Sequence, residues 1–586
     1  MIEIRKRLLR ELHTCTGGTC GTGKNLYQSS ILGQYVGCCC YKILRIGGIV
    51  KPCVRANVSR GTLGLSLPLL RFFGNFEVRR RVSKFRLSIS KQRMSKPLNI
   101  LFVSSEVEPF AKTGGLADVS SALPKAIKEL GHEIRIMMPR YRFISERRFR
   151  LHDIIRLKEI PIPVGNTVQV GNVKSSFISN LKEKVQVYFL DNEAYFGREG
   201  IYQSPSTKKD YKDNDERFLF FCRGVLETLK RLGWQPDVIH CNDWQTGLIP
   251  AYMKTLYKDD PFFKSIKTVF TIHNMAYQGA FHADTFEKSG LPRETFHLNG
   301  TEAYGRFNFL KSGLVFSDAI TTVSEKYAHE ICSSEEFGAG LEGLLTTRRK
   351  DLRGLLNGID ISTWDPSSDN FVFRKYDAKS VEAKVDNKRA LLTRFGMEFT
   401  PSRPVIGAIT RLVEQKGFDL VLEVLEDLVK LDVQFVMLAS GDKDLEARFD
   451  KIQRKHPRNI ALVFGFDEEL AHMIEAGSDM FLMPSRYEPC GLNQMYSMRY
   501  GTVPIVRATG GLDDTVEDYQ AGGKGTGFKF EKYDAKEFLK AVQRATTVFQ
   551  KPEEWKKIMK NGMAKDFSWE HSAKKYIGLY RDLVKQ

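Results

Sequence analysis

The sequence predicts an α/β protein built from two doubly wound domains that face a central cleft. Three observations carry this expectation. Short apolar runs alternate with amphipathic helical patterns from residue 97 onward, the pattern restarts after residue 403, and the unusual residue clusters fall just after the apolar runs. Apolar strands alternating with helices belong to parallel sheets covered on both faces, and such sheets bind ligands at the carboxyl ends of their strands.

In the first set, NILFV (99–103) precedes the helical pattern VSSALPKAIKEL (119–130), and HEIRIMM (132–138) follows. VQVYFL (185–190) precedes ERFLFFCRGVLETLKRL (216–232), DVIHC (237–241) precedes TGLIPAYMKTLY, and KTVFTIH (267–273) closes the set. In the second set, VIGAIT (405–410), QFVMLAS (434–440) and IALVFG (460–465) each precede a helical pattern, and MFLMP (480–484) and VPIVRA (503–508) complete a second sheet. The expected division is a leader over 1–96, a first domain over 97–356, a connection over 357–402, a second domain over 403–570, and a C-terminal helix over 571–586 that packs back on the first domain.

Length and composition fit this plan. A chain of 586 residues with 42% apolar and 27% charged residues suits two or three globular domains. No apolar run approaches the 18 or so residues of a membrane span. The net charge of +19 would suit a polyanion partner, but residues 1–93 carry +15 of it and the remainder only +4. No nucleic-acid or membrane partner is therefore expected of the body. Six of the ten cysteines lie in the first 53 residues, and Cys222, Cys241, Cys332 and Cys490 are widely spaced, which gives neither a disulfide framework nor a zinc site.

The leader is Arg-rich and poor in acids, like a transit peptide. Equally, it reads as upstream sequence before a natural start at Met94, and disorder is expected of it. Its stretch GTCGTGKN places Gly18, Gly23 and Lys24 at phosphate-loop spacing, but Asn25 stands where a magnesium-binding Ser or Thr is needed. That match is read as chance.

The chemistry-bearing clusters follow the strands. After the first, Lys112 stands ahead of Gly114 and Gly115. A cation and two glycines before a helix can hold an anion against backbone amides, although a lysine before glycines also serves as an ordinary turn. After VIGAIT, Arg411 and Lys416 are spaced so that one loop can bring both cations to a diphosphate, or leave both in solvent. After MFLMP comes Glu488, able to accept hydrogen bonds from sugar hydroxyls, or to cap the next helix. Gly510 and Gly511, after VPIVRA, repeat the anion-loop pattern of the first domain. HCNDWQTG and TIHNMAYQG put His240, Asp243, Trp244, His273 and Asn274 at two successive strand ends, a polar sugar site with an aromatic platform. Gly338, Gly340 and Gly343 spell GxGxxG after a helical pattern instead of a strand, so a dinucleotide site is not expected there.

Taken in order, KTGGLADV, HCNDWQTG, TIHNMAYQG, LLNGID, TRLVEQKG, PSRYEPCGLNQ and TGGLDD resemble the glycogen and starch synthases that use a nucleoside-diphosphate glucose. The resemblance covers 97–586, and the short body with its GGLADV is most similar to the bacterial enzymes. It implies the GT-B architecture of two Rossmann-like domains, and transfer of glucose from ADP-glucose to the 4-hydroxyl at the non-reducing end of an α-1,4-glucan with retention. It implies that Lys112, Arg411 and Lys416 surround the diphosphate, with the glycine pair Gly114 and Gly115 beside it, and that Glu488 lies against the donor sugar. Asp118, Asp243, His273 and Asn274 then line the sugar and acceptor side with Trp244, and the amides of Thr509, Gly510 and Gly511 face the donor. The catalytic set expected is Glu488, His273, Asp243 and Lys112.

Departure of the diphosphate leaves an oxocarbenium-like sugar, and preorganised cations stabilise the leaving group. Retention is compatible with a covalent carboxylate intermediate or with same-face attack in which the leaving phosphate takes the acceptor's proton; the second is favoured here. No metal and no cofactor are expected. Related transferases place a second glutamate eight residues after the first for the ribose; here Tyr496 holds that position, as the resemblance to the synthases implies. The competing readings are a transferase that uses UDP-glucose or another acceptor, and a non-catalytic glucan-binding homologue. The expected location is the bacterial cytoplasm, or a plastid if residues 1–93 are a transit peptide.

Overall fold

The computed structural model describes residues 96–179 and 183–585. The leader, including its cysteines and Gly18–Lys24, lies outside the described residues.

The strand β1 (Asn99–Val103) is apolar almost throughout because both of its faces are covered, and Ile100 to Val103 are fully buried. In chain order β2 (Glu133–Pro139), β3 (His152–Asp153), β4 (Ile160–Val164), β5 (Thr167–Ser179), β6 (Lys184–Asp191), β7 (Val238–Asn242) and β8 (Lys267–Ile272) follow. Three short strands, β9 (Ala280–Phe281), β10 (Glu302–Ala303) and β11 (Arg306–Asn308), make a small antiparallel sheet, and β12 (Ala319–Thr322) and β13 (Leu352–Gly354) complete the first large sheet. Its order is β13-β12-β8-β7-β1-β2-β6-β5-β3, with β4 paired to β5. The pairs from β13 to β6 are parallel, as the alternation of apolar runs and helices predicts.

The antiparallel edge formed by β3, β4 and β5 was not read from the sequence. In β4, Ile160, Ile162 and Val164 are buried while Pro161 is exposed. Prolines lack the N–H needed inside a sheet, so Pro161 and Pro163 suit a strand at an edge.

The second sheet contains β14 (Val405–Leu412), β15 (Gln434–Gly441), β16 (Ile460–Phe464), β17 (Met480–Met483), β18 (Val503–Arg507) and β19 (Phe528–Phe530), all parallel, in the order β16-β15-β14-β17-β18-β19. Its two faces bury separate apolar cores. One contains Phe418, Val421, Leu425 and Leu428 from the helix Phe418–Lys430; the other contains Leu391, Leu470 and Ile474.

In each sheet the chain reverses direction of travel beside its first strand: β1 lies between β2 and β7, and β14 lies between β15 and β17. Such a switch point splays two loops apart at the carboxyl ends and leaves a crevice. Lys112 and Asp243 follow β1 and β7; Arg411 stands in the last residues of β14, and Glu488 follows β17.

The last helix, Trp569–Lys585, joins the core of the first sheet through Trp569, Ala573, Tyr576, Tyr580 and Leu583. Tyr580 places its hydroxyl 2.7 Å from His240 Nδ1. A smaller apolar patch of Val323, Ile359, Cys490 and Met495 joins elements of both sheets. No helix among the described residues is long and apolar enough to cross a membrane.

Candidate functional site

The loop after β1 is built around a carboxylate. Glu106, buried, accepts hydrogen bonds from Thr113 N at 2.5 Å, Thr113 Oγ1 at 2.7 Å and Tyr202 Oη at 2.7 Å. Thr113 is thereby fixed, with exposed Lys112 beside it and Lys112 Nζ 2.6 Å from Asp118 Oδ1. The helix Gly115–Glu129 starts at the glycine pair, four residues before the predicted pattern. Neither Gly114 nor Gly115 has a left-handed φ, and a Cβ on either would meet no protein atom within 4 Å. Nothing in the protein's own packing demands glycine there, so the pair keeps open the space above the loop.

At the ends of β7 and β8, Asp243 adopts φ +55°, a conformation that costs a non-glycine residue of the order of 1–3 kcal/mol and collects at functional sites. Its Oδ1 accepts from His273 N at 2.7 Å. Burial pushes the Asp243 carboxyl up to about 7, with the Glu106 charge adding and the His273 and Asn274 amides opposing. His273 is held neutral, its pKa lowered by burial to about 3. Asn242 Nδ2 donates to Val103 O, which turns its Oδ1 towards His273 Nε2 at 3.0 Å. His273 therefore donates from Nε2 and keeps the lone pair on Nδ1. Asn274 is half-exposed, and its Oδ1 accepts from Ala276 N at 3.0 Å.

Two residues of this cluster are placed in the core. His240 is buried between Tyr580 and Thr271, with its pKa lowered by burial to about 3. Trp244 is buried among Phe218, Phe281 and Phe309, and a Cβ on Gly279 would strike its ring at 2.3 Å. Its ring thus packs the floor of the site instead of offering the open platform expected, because these three rings and that of Tyr202 pack around it.

In the second domain, Arg411 is exposed at the end of β14. Gly417, at φ +70°, lets the following turn pass so close to β17 that a Cβ would lie 2.0 Å from Pro484 O. That approach delivers Lys416 to Glu488: Lys416 Nζ lies 2.6 Å from Glu488 Oε2, which also accepts from Ser485 Oγ at 3.0 Å. Glu488 is buried and caps no helix. A cleft of about 520 Å³ between the ends of β14 and β15 is lined by Leu412, Val413, Asp442 and Leu445 among others. Beyond β16, Phe466 is 91% exposed.

The second glycine pair differs from the first. A Cβ on Gly510 would lie 1.9 Å from Glu488 O, and one on Gly511 2.0 Å from Cys490 O. Both amides are engaged within the protein: Gly511 N donates to Glu488 O at 3.0 Å, and Gly510 N to Glu330. These glycines exist for close backbone packing. The GxGxxG look-alike is likewise local: Gly338 ends the helix Glu335–Gly338, and Gly340, at φ +83°, leaves room for Tyr304. Tyr496 stacks on Trp364 at 4.1 Å, and Trp364 on His472 at 3.8 Å. Among the described residues no group of three or more His, Cys, Asp or Glu side chains is placed to hold a metal ion.

Sequence reasoning missed Glu106, Asn242, Ser485 and Glu330. Glu106 carried a signal, an acid in the same strand-end loop as Lys112. Glu330 carried none, since its partners lie about 180 residues away.

The comparisons with known proteins agree with this geometry. A model of the starch synthase catalytic domain matches residues 99–347, and a model of glycosyl transferases group 1 matches 393–562. The chain is 45% identical to a glycogen synthase of Desulforudis audaxviator over 84% of this chain and 97% of that protein. It is 44% identical to a glycogen synthase of Thermotoga maritima over 83% and 98%. The solved catalytic domain of starch synthase IV from Arabidopsis thaliana, bound to ADP and acarbose, superposes with a TM-score of 0.76 at 33% identity, covering 84% of this chain and all of that one. Nearly full coverage of such relatives, on two parallel sheets whose switch points carry the matched motifs, shows that the chain belongs to the glycogen and starch synthase family of glucosyltransferases.

Proposed function

We propose that this glucosyltransferase takes glucose from ADP-glucose and adds it to the non-reducing end of an α-1,4-glucan with retention, the two crevices holding donor and acceptor between them. The observation that carries this reading is the pair of half-buried Lys416 and buried Glu488 at 2.6 Å, close to exposed Arg411 at the end of β14. Lys112, Arg411 and Lys416 supply positive charge for the leaving diphosphate, preorganised so that no water need reorient during transfer. The empty space over Gly114 and Gly115 lets the backbone approach that group. Glu488 accepts from the donor glucose hydroxyls and is held by Lys416 and Ser485.

On the acceptor side, the free Nδ1 of neutral His273 and the Asp243 carboxyl bond sugar hydroxyls, with Asn274 beside them and Asp118 near Lys112. The leaving phosphate takes the acceptor's proton in a same-face attack. Exposed Phe466 offers a face on which the donor's base stacks. Closure of the two domains excludes water and brings Lys112 towards Arg411. The reading places the protein in the bacterial cytoplasm, or in a plastid if residues 1–93 direct it there.

The test is glucose incorporation into glycogen by the full chain, with ADP-glucose and UDP-glucose in parallel and Glu488→Ala as control. ADP-glucose transfer that disappears in the variant supports the proposal. Equal or better use of UDP-glucose moves the donor assignment, and no transfer from either donor leaves glucan binding without catalysis as the reading to pursue.

A further inference from the structure

The helix Glu325–Glu330 follows β12 in the first sheet, and the helix Gly510–Thr515 follows β18 in the second. They dock with reciprocal capping. Both Glu330 carboxylate oxygens lie 3.1 Å from Gly510 N, and Thr509 Oγ1 lies 3.1 and 3.3 Å from them. In the other direction Lys326 N donates to Asp514 Oδ2 at 2.8 Å, and Lys326 Nζ pairs with Asp513 Oδ2 at 3.2 Å. Thr509, Gly510 and Glu330 are all buried, so water cannot replace the carboxylate as acceptor.

The two ends of this dock are not equivalent. The Glu330 end grips the turn that packs on the Glu488 backbone: Gly511 N donates to Glu488 O, and Gly510 lies flush against the same carbonyl. The Lys326 end touches only the far side of the helix Gly510–Thr515. We infer that Glu330 is a positioning residue of the transfer reaction, a carboxylate of the first domain that holds the Thr509–Gly511 loop, and through it Glu488, in the geometry of the donor site. The inference rests on the assignment of Glu488 to the donor sugar. Without Glu330 the buried Gly510 N–H and Thr509 O–H lose their acceptor, the loop shifts to find others, and Glu488 moves with it. Misplacement by about 1 Å at a reacting centre costs about 10²-fold in rate.

Lys326 supplies the control, because Lys326→Ala weakens contact between the same helices without touching the Glu488 loop. Kinetics of the full chain with ADP-glucose and glycogen would compare the wild type with Glu330→Ala, Glu330→Gln, Lys326→Ala and Glu488→Ala. Hydrogen–deuterium exchange would follow the peptides spanning 485–492 and 505–515. The expected result is a kcat loss of about 10²-fold in Glu330→Ala with the KM for glycogen unchanged. Most activity should return in Glu330→Gln, whose carbonyl still accepts both hydrogen bonds, and Lys326→Ala should retain near-normal kcat. Exchange should quicken in both peptides for Glu330→Ala alone.

Near-normal kcat in Glu330→Ala overturns the inference while Glu488→Ala remains inactive. Equal losses in Glu330→Ala and Lys326→Ala, or no rescue by glutamine, overturn it too. A wild-type chain that transfers nothing, or an active Glu488→Ala, fails the reading of the site itself and takes the inference with it.

Discussion

Lys416 and Glu488 come from loops 72 residues apart in sequence and meet with Nζ 2.6 Å from Oε2, in a pocket where the Glu488 side chain is 6% exposed. The charges neutralise each other until a donor arrives with its own diphosphate and hydroxyls. Lys416→Ala and Glu488→Gln are each expected to lower kcat by about 10²–10³-fold. The double variant should lose little more than the worse single one, because the pair acts as a unit. Steady-state kinetics on the four proteins checks this; fully additive losses would mean that the residues work independently.

The two glycine pairs should respond oppositely to alanine. At Gly115 a methyl meets only open space at the start of a helix, where alanine is favoured over glycine by up to about 1 kcal/mol. Gly115→Ala should therefore leave Tm unchanged or raised, while the KM for ADP-glucose rises. At Gly511 the methyl would strike Cys490 O, and Gly511→Ala should cost about 1–3 kcal/mol or more. Thermal unfolding and donor titration of both variants decide whether the first pair serves a ligand.

Asp243 has a folded pKa of about 7 against an ordinary 3.8. Folding therefore favours its protonated form, and the stability linked to that proton is full below the unfolded pKa and lost as pH rises through the folded one. Asp243→Asn removes the ionisation that folding opposes, and its amide oxygen can still accept from His273 N. The variant should gain more Tm over wild type at about pH 8 than at about pH 5, while kcat collapses. A gain independent of pH would contradict the assigned shift.

Tyr580 ties the last helix to His240 in the first core. Tyr580→Phe should lower stability by about 1 kcal/mol with kcat unchanged, since neither residue faces the crevice. A chain ending before Trp569 would bare the apolar surface now covered by Ala573, Tyr576 and Leu583, and should aggregate. Denaturant melts and light scattering check the two outcomes.

Phe466→Ala should raise the KM for ADP-glucose by tenfold or more, from a loss of about 1–3 kcal/mol of base stacking, with kcat at saturation unchanged. Unaltered KM would mean that the exposed ring does not serve the donor's base.

The sequence by itself determined the two parallel sheets, because strands covered on both faces must be apolar throughout, as NILFV and VIGAIT are. It also determined which strand ends carry Lys112, Asp243, Arg411, Lys416 and Glu488, since each stands just after one of the apolar runs. It did not determine the edge β4–β5, whose prolines and exposed alternation obscure the strand pattern. Nor did it separate Gly114 from Gly510, His273 from His240, or a Trp244 platform from a Trp244 core. Each pair shares residue type and position after a strand, and what separates them is which atoms from distant segments stand within 4 Å. Only the tertiary structure brings Glu330 to Gly510, Tyr580 to His240 and Phe309 to Trp244, because burial and hydrogen bonding across such separations depend on how the sheets and helices pack and not on local spacing.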